Sequence, residues 1–125
     1  MSASQPNFLV IISDQHDPMK SSAYGHRLVR TPTMDRLARE GVTFGRAYCN
    51  TPLCAPGRIS FMTGRYVHHI ETWDNATPHE SDLVTWAHHL RARGYDCALS
   101  GKMHFLGPDQ LHGFETQLAV VLARC

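Results

Sequence analysis

Residues 7–13 read Asn-Phe-Leu-Val-Ile-Ile-Ser, an uninterrupted apolar run of strand length with a valine and two isoleucines. A strand facing water on one side alternates apolar and polar residues; this run does not, and the pattern predicts a strand covered on both faces, as in a parallel α/β sheet. The run delivers the chain to Asp14-Gln15-His16-Asp17. Ligands of open α/β sheets gather at the carboxyl ends of strands, so a carboxylate at Asp14 is well sited for a hard cation with oxygen ligands. Asp17 reads as a solvated loop residue.

The rest of the chain keeps the α/β alternation. Residues 18–30 are polar and read as a loop. Thr31-Pro32 opens a helix with Thr as N-cap and Pro in the first turn; Met34, Leu37 and Ala38 follow helical spacing, and Gly41 stops it. Val42 to Tyr48 reads as a second strand. Ser81 is the expected cap of another helix, with Leu83, Trp86, Ala87 and Leu90 as its apolar stripe and Gly94 as its end. Tyr95 to Ser100 then reads as a third strand. The prediction is an α/β fold with a mainly parallel sheet.

Composition narrows the function classes. At 125 residues the chain is at most one domain, and a net charge of +1 with 18% charged residues lacks the basic face of a nucleic-acid binder. No apolar run approaches the roughly 20 residues that span a bilayer. The start, Met1 to Asn7, has neither basic nor apolar signal-peptide regions, so the expected compartment is the cytoplasm. Cys49, Cys54, Cys97 and Cys125 are scattered and suit a reduced interior better than a disulfide framework. The spacing of Cys49 and Cys54 has no matching second pair, which argues against a zinc module.

Cys54, Pro56 and Arg58 form a C-x-P-x-R core, flanked by Thr51-Pro52-Leu53 and by Ile59-Ser60-Phe61-Met62-Thr63-Gly64-Arg65. Pro56-Gly57 predicts a turn, and Ile59 to Thr63 a short helix closed by Gly64. Cys54 then lies near a helix N-terminus, where backbone N–H groups favour an anion, and Arg58 adds a permanent cation one turn along. This core with its flanks resembles the signature of the sulfatase family. The resemblance implies that Cys54 is oxidised to formylglycine (3-oxoalanine), whose hydrate supplies the nucleophile. It also implies an alkaline-phosphatase-like α/β/α sandwich, of which residues 1–125 would be the N-terminal portion of the catalytic domain.

Gly101-Lys102-Met103-His104 follows the third strand. On extended backbone, Lys102 and His104 would point to one side. They resemble the family's Gly-Lys-x-His motif, in which Lys contacts the anion and His bonds the formylglycine or sulfate. Asp74-Asn75-Ala76 is similar to a segment of the choline-sulfatase and phosphonate-monoesterase branch in which Asn contacts the substrate anion; a turn residue is the alternative for Asn75. Gln15, where many members carry a second Asp, is similar to the same branch and implies Asp14 and Gln15 as metal ligands. The adjacent His68 and His69 read as exposed loop residues, and His88 and His89 as rim and surface positions.

The resemblance covers about Asn7 to Glu115, and Thr116 to Cys125 does not follow it. It implies a sulfuric ester hydrolase with Ca²⁺, acting on a small sulfate ester after a formylglycine-generating enzyme has processed it, with no membrane or nucleic-acid partner. A homo-oligomer is compatible with a full-length form. Two alternatives stay open: a phosphonate or phosphate ester hydrolase with Mn²⁺, and a truncated, non-catalytic product. Further metal ligands and the leaving-group acid would come from sequence that these residues do not contain, so the chain is expected to be inactive alone.

Overall fold

The computed structural model describes residues 5–120. They form two compact units, Met1–Ala47 and Tyr48–Cys125.

In the first unit, two short 3₁₀ turns, Pro18–Lys20 and Ser22–Tyr24, precede helix α1, Pro32–Glu40. Asp17, exposed as expected, also starts the first turn by accepting the Met19 N–H at 2.9 Å on Oδ1. The Ser22 hydroxyl lies 2.8 and 2.7 Å from the carboxylate oxygens of Asp35 and 2.8 Å from Thr31 Oγ1, which ties the second turn to the start of α1. Pro32 opens α1 and Gly41 ends it, its N–H bonding the Leu37 carbonyl at 2.9 Å, as the sequence predicts.

Residues 7–13 and 42–48 form no strand. A lone extended segment has no ladder to satisfy its N–H and C=O groups, and a strand apolar on both faces needs neighbours on both. Neither run is covered in that way: Leu9 and Ile11 in the first, and Val42 and Phe44 in the second, are largely exposed. The expectation was right about composition and wrong about pairing within this chain.

The second unit holds helices α2 (Cys54–Thr63), α3 (Val67–Ile70) and α4 (Trp86–Arg91) and strands β1 (Ala98–Gly101) and β2 (Thr116–Val120). Its core joins Ile59 and Met62 of α2 to Ile70, Leu83, Ala87, Cys97, Leu99, Met103, Phe105 and Phe114. Burying each of the larger side chains is worth about 1.5–3 kcal/mol. Trp86 lies edge-on to both Phe61 and Phe114, with ring centroids 6.1 and 5.6 Å apart.

Helix α4 starts later than the sequence suggests. Thr85, not Ser81, is its N-cap, in a capping box completed by the side chain of His88. Thr85 is fully buried and its hydroxyl donates to the His112 carbonyl at 2.7 Å, while Ser81 is exposed. Propensity alone does not separate two hydroxyl residues four apart; tertiary contact does.

Strands β1 and β2 pair in parallel, from Ala98 opposite Thr116 to Gly101 opposite Val120, with an irregularity between Leu99 and Ser100. Glu115 clamps the start of the pair. Its N–H donates to the Cys97 carbonyl at 2.9 Å, one carboxylate oxygen accepts the Cys97 N–H at 3.1 Å, and the other meets Arg91 Nε at 3.3 Å. The strand Thr116–Val120 lies in a stretch for which the sequence predicts no element; residues 121–125 lie outside the described residues.

Candidate active site

Helix α2 begins at Cys54 itself, not at Ile59. Pro56 and Gly57 are in its first turn rather than in a separate turn. Pro is tolerated there because its missing N–H would have no intrahelical acceptor. Gly64 closes the helix in the left-handed conformation, φ 66°, with its N–H on the Ser60 carbonyl at 2.8 Å. Cys54 and Arg58 are therefore one turn apart on the same helix. Cys54 is half-buried, while Ala55, Pro56 and Arg58 are buried.

The segment is pinned at both ends. The Asn50 amide donates through Nδ2 to Ser60 Oγ at 2.5 Å, and Ser60 Oγ donates to the Arg65 carbonyl at 2.6 Å. Ser60, 5% exposed, thus joins the entry and the exit of α2. In the sequence Ser60 reads only as a flank; a small hydroxyl residue on the core side of a helix is the available signal.

Two of the remaining site residues reach α2 by hydrogen bonds. Arg58 Nη1 donates to the Lys102 carbonyl at 2.8 Å across 44 residues. Asn75 Oδ1 accepts the Ala55 N–H at 2.9 Å. Lys102 is thus brought to α2 by its backbone. Asn75 is neither solely a turn residue nor shown here on an anion: its oxygen is spent on the helix. Asp74, beside it, accepts the N–H groups of Ala76 and Thr77 and the Thr77 hydroxyl at 2.8–2.9 Å, and these bonds hold its carboxyl below the usual range.

His104 has φ 58°, so Lys102 to His104 is not the extended stretch from which alternation was argued. Histidine tolerates the left-handed region better than most residues, but such conformations persist only where the surroundings fix them, and they gather at functional sites. Met103 and Phe105, on either side, are buried in the core and supply that fixing.

A second group of histidines escaped the sequence reading. His79 and His112 are 2% and 0% exposed, with ring centroids 5.8 Å apart, and Phe105 lies 4.7 Å from His112. His79 Nε2 and His112 Nε2 have no hydrogen-bond partner among the described residues. Burial, then the neighbouring His112, pushes His79 down to about 4. Burial also lowers His112, against the pull of Asp109, whose Oδ2 lies 3.7 Å from Nδ1. No local pattern in the sequence marks either histidine as buried. His68 and His69 are exposed, as expected, but lie in helix α3 rather than a loop, with rings 4.2 Å apart.

Asp14 and Gln15 occupy a turn in the first unit, both exposed, with Gln15 at φ 55°. Their oxygens suit a hard cation, yet two residues fall short of the six to eight donors of a Ca²⁺ site. Among the described residues no group of three or more His, Cys, Asp or Glu side chains could hold a metal ion. No helix among them is long and apolar enough to cross a membrane.

Comparison with known proteins matches residues 6–119 to the sulfatase family model. The chain is 44% identical over 118 residues to the choline-sulfatase of Rhizobium meliloti (strain 1021), covering 94% of this chain and 23% of that protein. It is 35% identical over 111 residues to the N-acetylglucosamine-6-O-sulfatase of Bacteroides thetaiotaomicron, covering 89% and 20%. A solved structure, a complex with the substrate D-glucosamine-2-N,6-O-disulfate, superposes with a TM-score of 0.71 at 36% identity, over 77% of this chain and 19% of that one. The chain therefore spans less than a quarter of the length of these relatives. The helices and the parallel strand pair are elements of the alkaline-phosphatase-like α/β fold of these structures. On the family match across nearly its whole described length, the chain belongs to the sulfatase family.

Proposed function

We propose that the chain carries the nucleophile-bearing portion of the catalytic domain of a sulfuric ester hydrolase, with Cys54 working as formylglycine. The observation that carries this reading is the start of α2 at Cys54, with Arg58 one turn on and Asn75 and Lys102 bonded to the same helix. Converted to a hydrated aldehyde, position 54 supplies a hydroxyl nucleophile that no ordinary side chain offers.

The other residues divide the electrostatic work. A sulfuryl group gathers negative charge on its oxygens as the ester bond breaks, and fixed donors at those oxygens lower the barrier. The buried guanidinium of Arg58 is a fixed cation one turn from the nucleophile. Lys102 contributes a second cation and His104 a group able to hold or pass a proton. Asn75 offers its Nδ2 donors without adding charge. Asp14 and Gln15 would supply oxygen ligands to a divalent cation, Ca²⁺ or Mn²⁺, which would balance charge on the ester, alongside ligands from outside these residues. The substrate class is a small sulfate ester, and the processing partner a formylglycine-generating enzyme.

The test is mass spectrometry of the tryptic peptide containing Cys54 after co-expression with a formylglycine-generating enzyme. The aldehyde is expected at position 54. A thiol alone, while a known sulfatase is converted in the same cells, would overturn the reading.

A further inference from the structure

The N-cap of α2, Leu53, has no side chain that can accept a hydrogen bond. Pro56 contributes no N–H, and the Gly57 N–H closes on the Leu53 carbonyl at 2.9 Å. The Ala55 N–H lies in the first turn, where helices leave donors without intrahelical acceptors. Ala55 is 0% exposed, so bulk water does not reach it. Its acceptor is Asn75 Oδ1 at 2.9 Å, 20 residues along the chain.

The loop that presents Asn75 is itself fixed. Asp74 Oδ1 accepts three hydrogen bonds, from Ala76 N, Thr77 N and Thr77 Oγ1. Because an N–H needs an acceptor, the carboxamide oxygen must face the helix, which leaves the Nδ2 donors for any other partner.

We propose that Asn75 is a positioning residue for Cys54: it acts through Ala55 as the capping acceptor that Leu53 lacks, and it holds the first turn of α2 in the conformation that presents position 54. The importance of that turn rests on the function proposed above; the cap itself does not. Capping uses the oxygen of the amide and anion binding its nitrogen, so the two roles come apart in variants. Asn75→Asp keeps an acceptor, and its charge suits a helix N-terminus, but it has no N–H to give an anion. Asn75→Ala has neither.

The experiment is NMR hydrogen exchange at the Ala55 amide of the 125-residue chain and the two variants, with Leu99 of β1 as the internal reference. Asn75→Ala is expected to speed Ala55 exchange about fivefold or more relative to Leu99, and Asn75→Asp to return it to within about twofold of the parent. Unchanged Ala55 exchange in a folded Asn75→Ala chain would overturn the proposal. If that variant does not fold, Asn75→Asp decides alone: a protected Ala55 supports the cap and an unprotected one overturns it. A parallel titration with inorganic sulfate reads the donor end. Sulfate binding lost in Asn75→Asp with Ala55 still protected supports the cap as separate from the donor role, so the cap and the functional reading fail independently.

Discussion

Arg58 Nη1 donates to the carbonyl oxygen of Lys102 at 2.8 Å, joining α2 to the segment that leaves β1. Arg58 is 8% exposed as a residue, so this charge-assisted bond is partly shielded from water. Arg58 therefore holds the fold as well as supplying a cation, and the two roles cannot be removed separately by deletion.

Arg58→Lys keeps the charge but loses the rigid fork that reaches the carbonyl. It is expected to lower stability by roughly 1–3 kcal/mol, the range for leaving a buried group without its partner. Urea denaturation of the parent and the variant checks this; an unchanged midpoint would show that the bond contributes nothing net.

The buried histidines set an acid limit. His79 ordinarily titrates near 6.5 and in the fold near 4. The unfolded chain therefore binds more protons below pH 6.5, and the contribution of His79 is whole above that pH and lost between about 6.5 and 4. The ceiling is about 3 kcal/mol, and His112, lowered in the same direction, adds to the trend. Thermal melts from pH 7.5 to 4.5 are expected to show a falling midpoint, with a flatter slope in His79→Gln. A slope unchanged in that variant would remove His79 as the cause.

His104 at φ 58° gives a backbone test. Glycine adopts this conformation without a Cβ penalty and alanine does not, so His104→Gly is expected to be more stable than His104→Ala by about 1 kcal/mol. Calorimetry of the pair measures it. The reverse order would mean that unfolded-state entropy outweighs the strain.

The 125-residue chain, with formylglycine verified at position 54, is expected to turn over p-nitrophenyl sulfate, choline sulfate and a phenylphosphonate ester at most marginally, with Ca²⁺ or Mn²⁺ present. Asp14 and Gln15 offer fewer oxygen donors than the roughly six to eight a Ca²⁺ takes, and the chain spans less than a quarter of the length of its relatives. Turnover abolished by Cys54→Ala would refute this.

The parts of the molecule readable from sequence are those decided locally. Pro32 and Gly41 bound α1 and Gly64 closes α2, whereas the start of α2 at Cys54, five residues before the expected Ile59, was not legible. What escaped depends on contacts distant in sequence. Thr85 caps α4 in place of Ser81 because it bonds His112, and the Asn75 oxygen is taken by an N–H 20 residues away. The strand expected at 7–13 shows the opposite failure: its composition is that of a strand, and pairing, which no single segment encodes, did not follow.

Ser60 ties together the two ends of the segment that carries Cys54. Asn50 and Arg65 are both held to one side chain in the middle of the stretch between them. One oxygen thus serves both ends of the stretch, accepting from Asn50 and donating to Arg65. Removing the Ser60 hydroxyl releases the entry and the exit of α2 together, whereas removing Asn50 releases the entry alone.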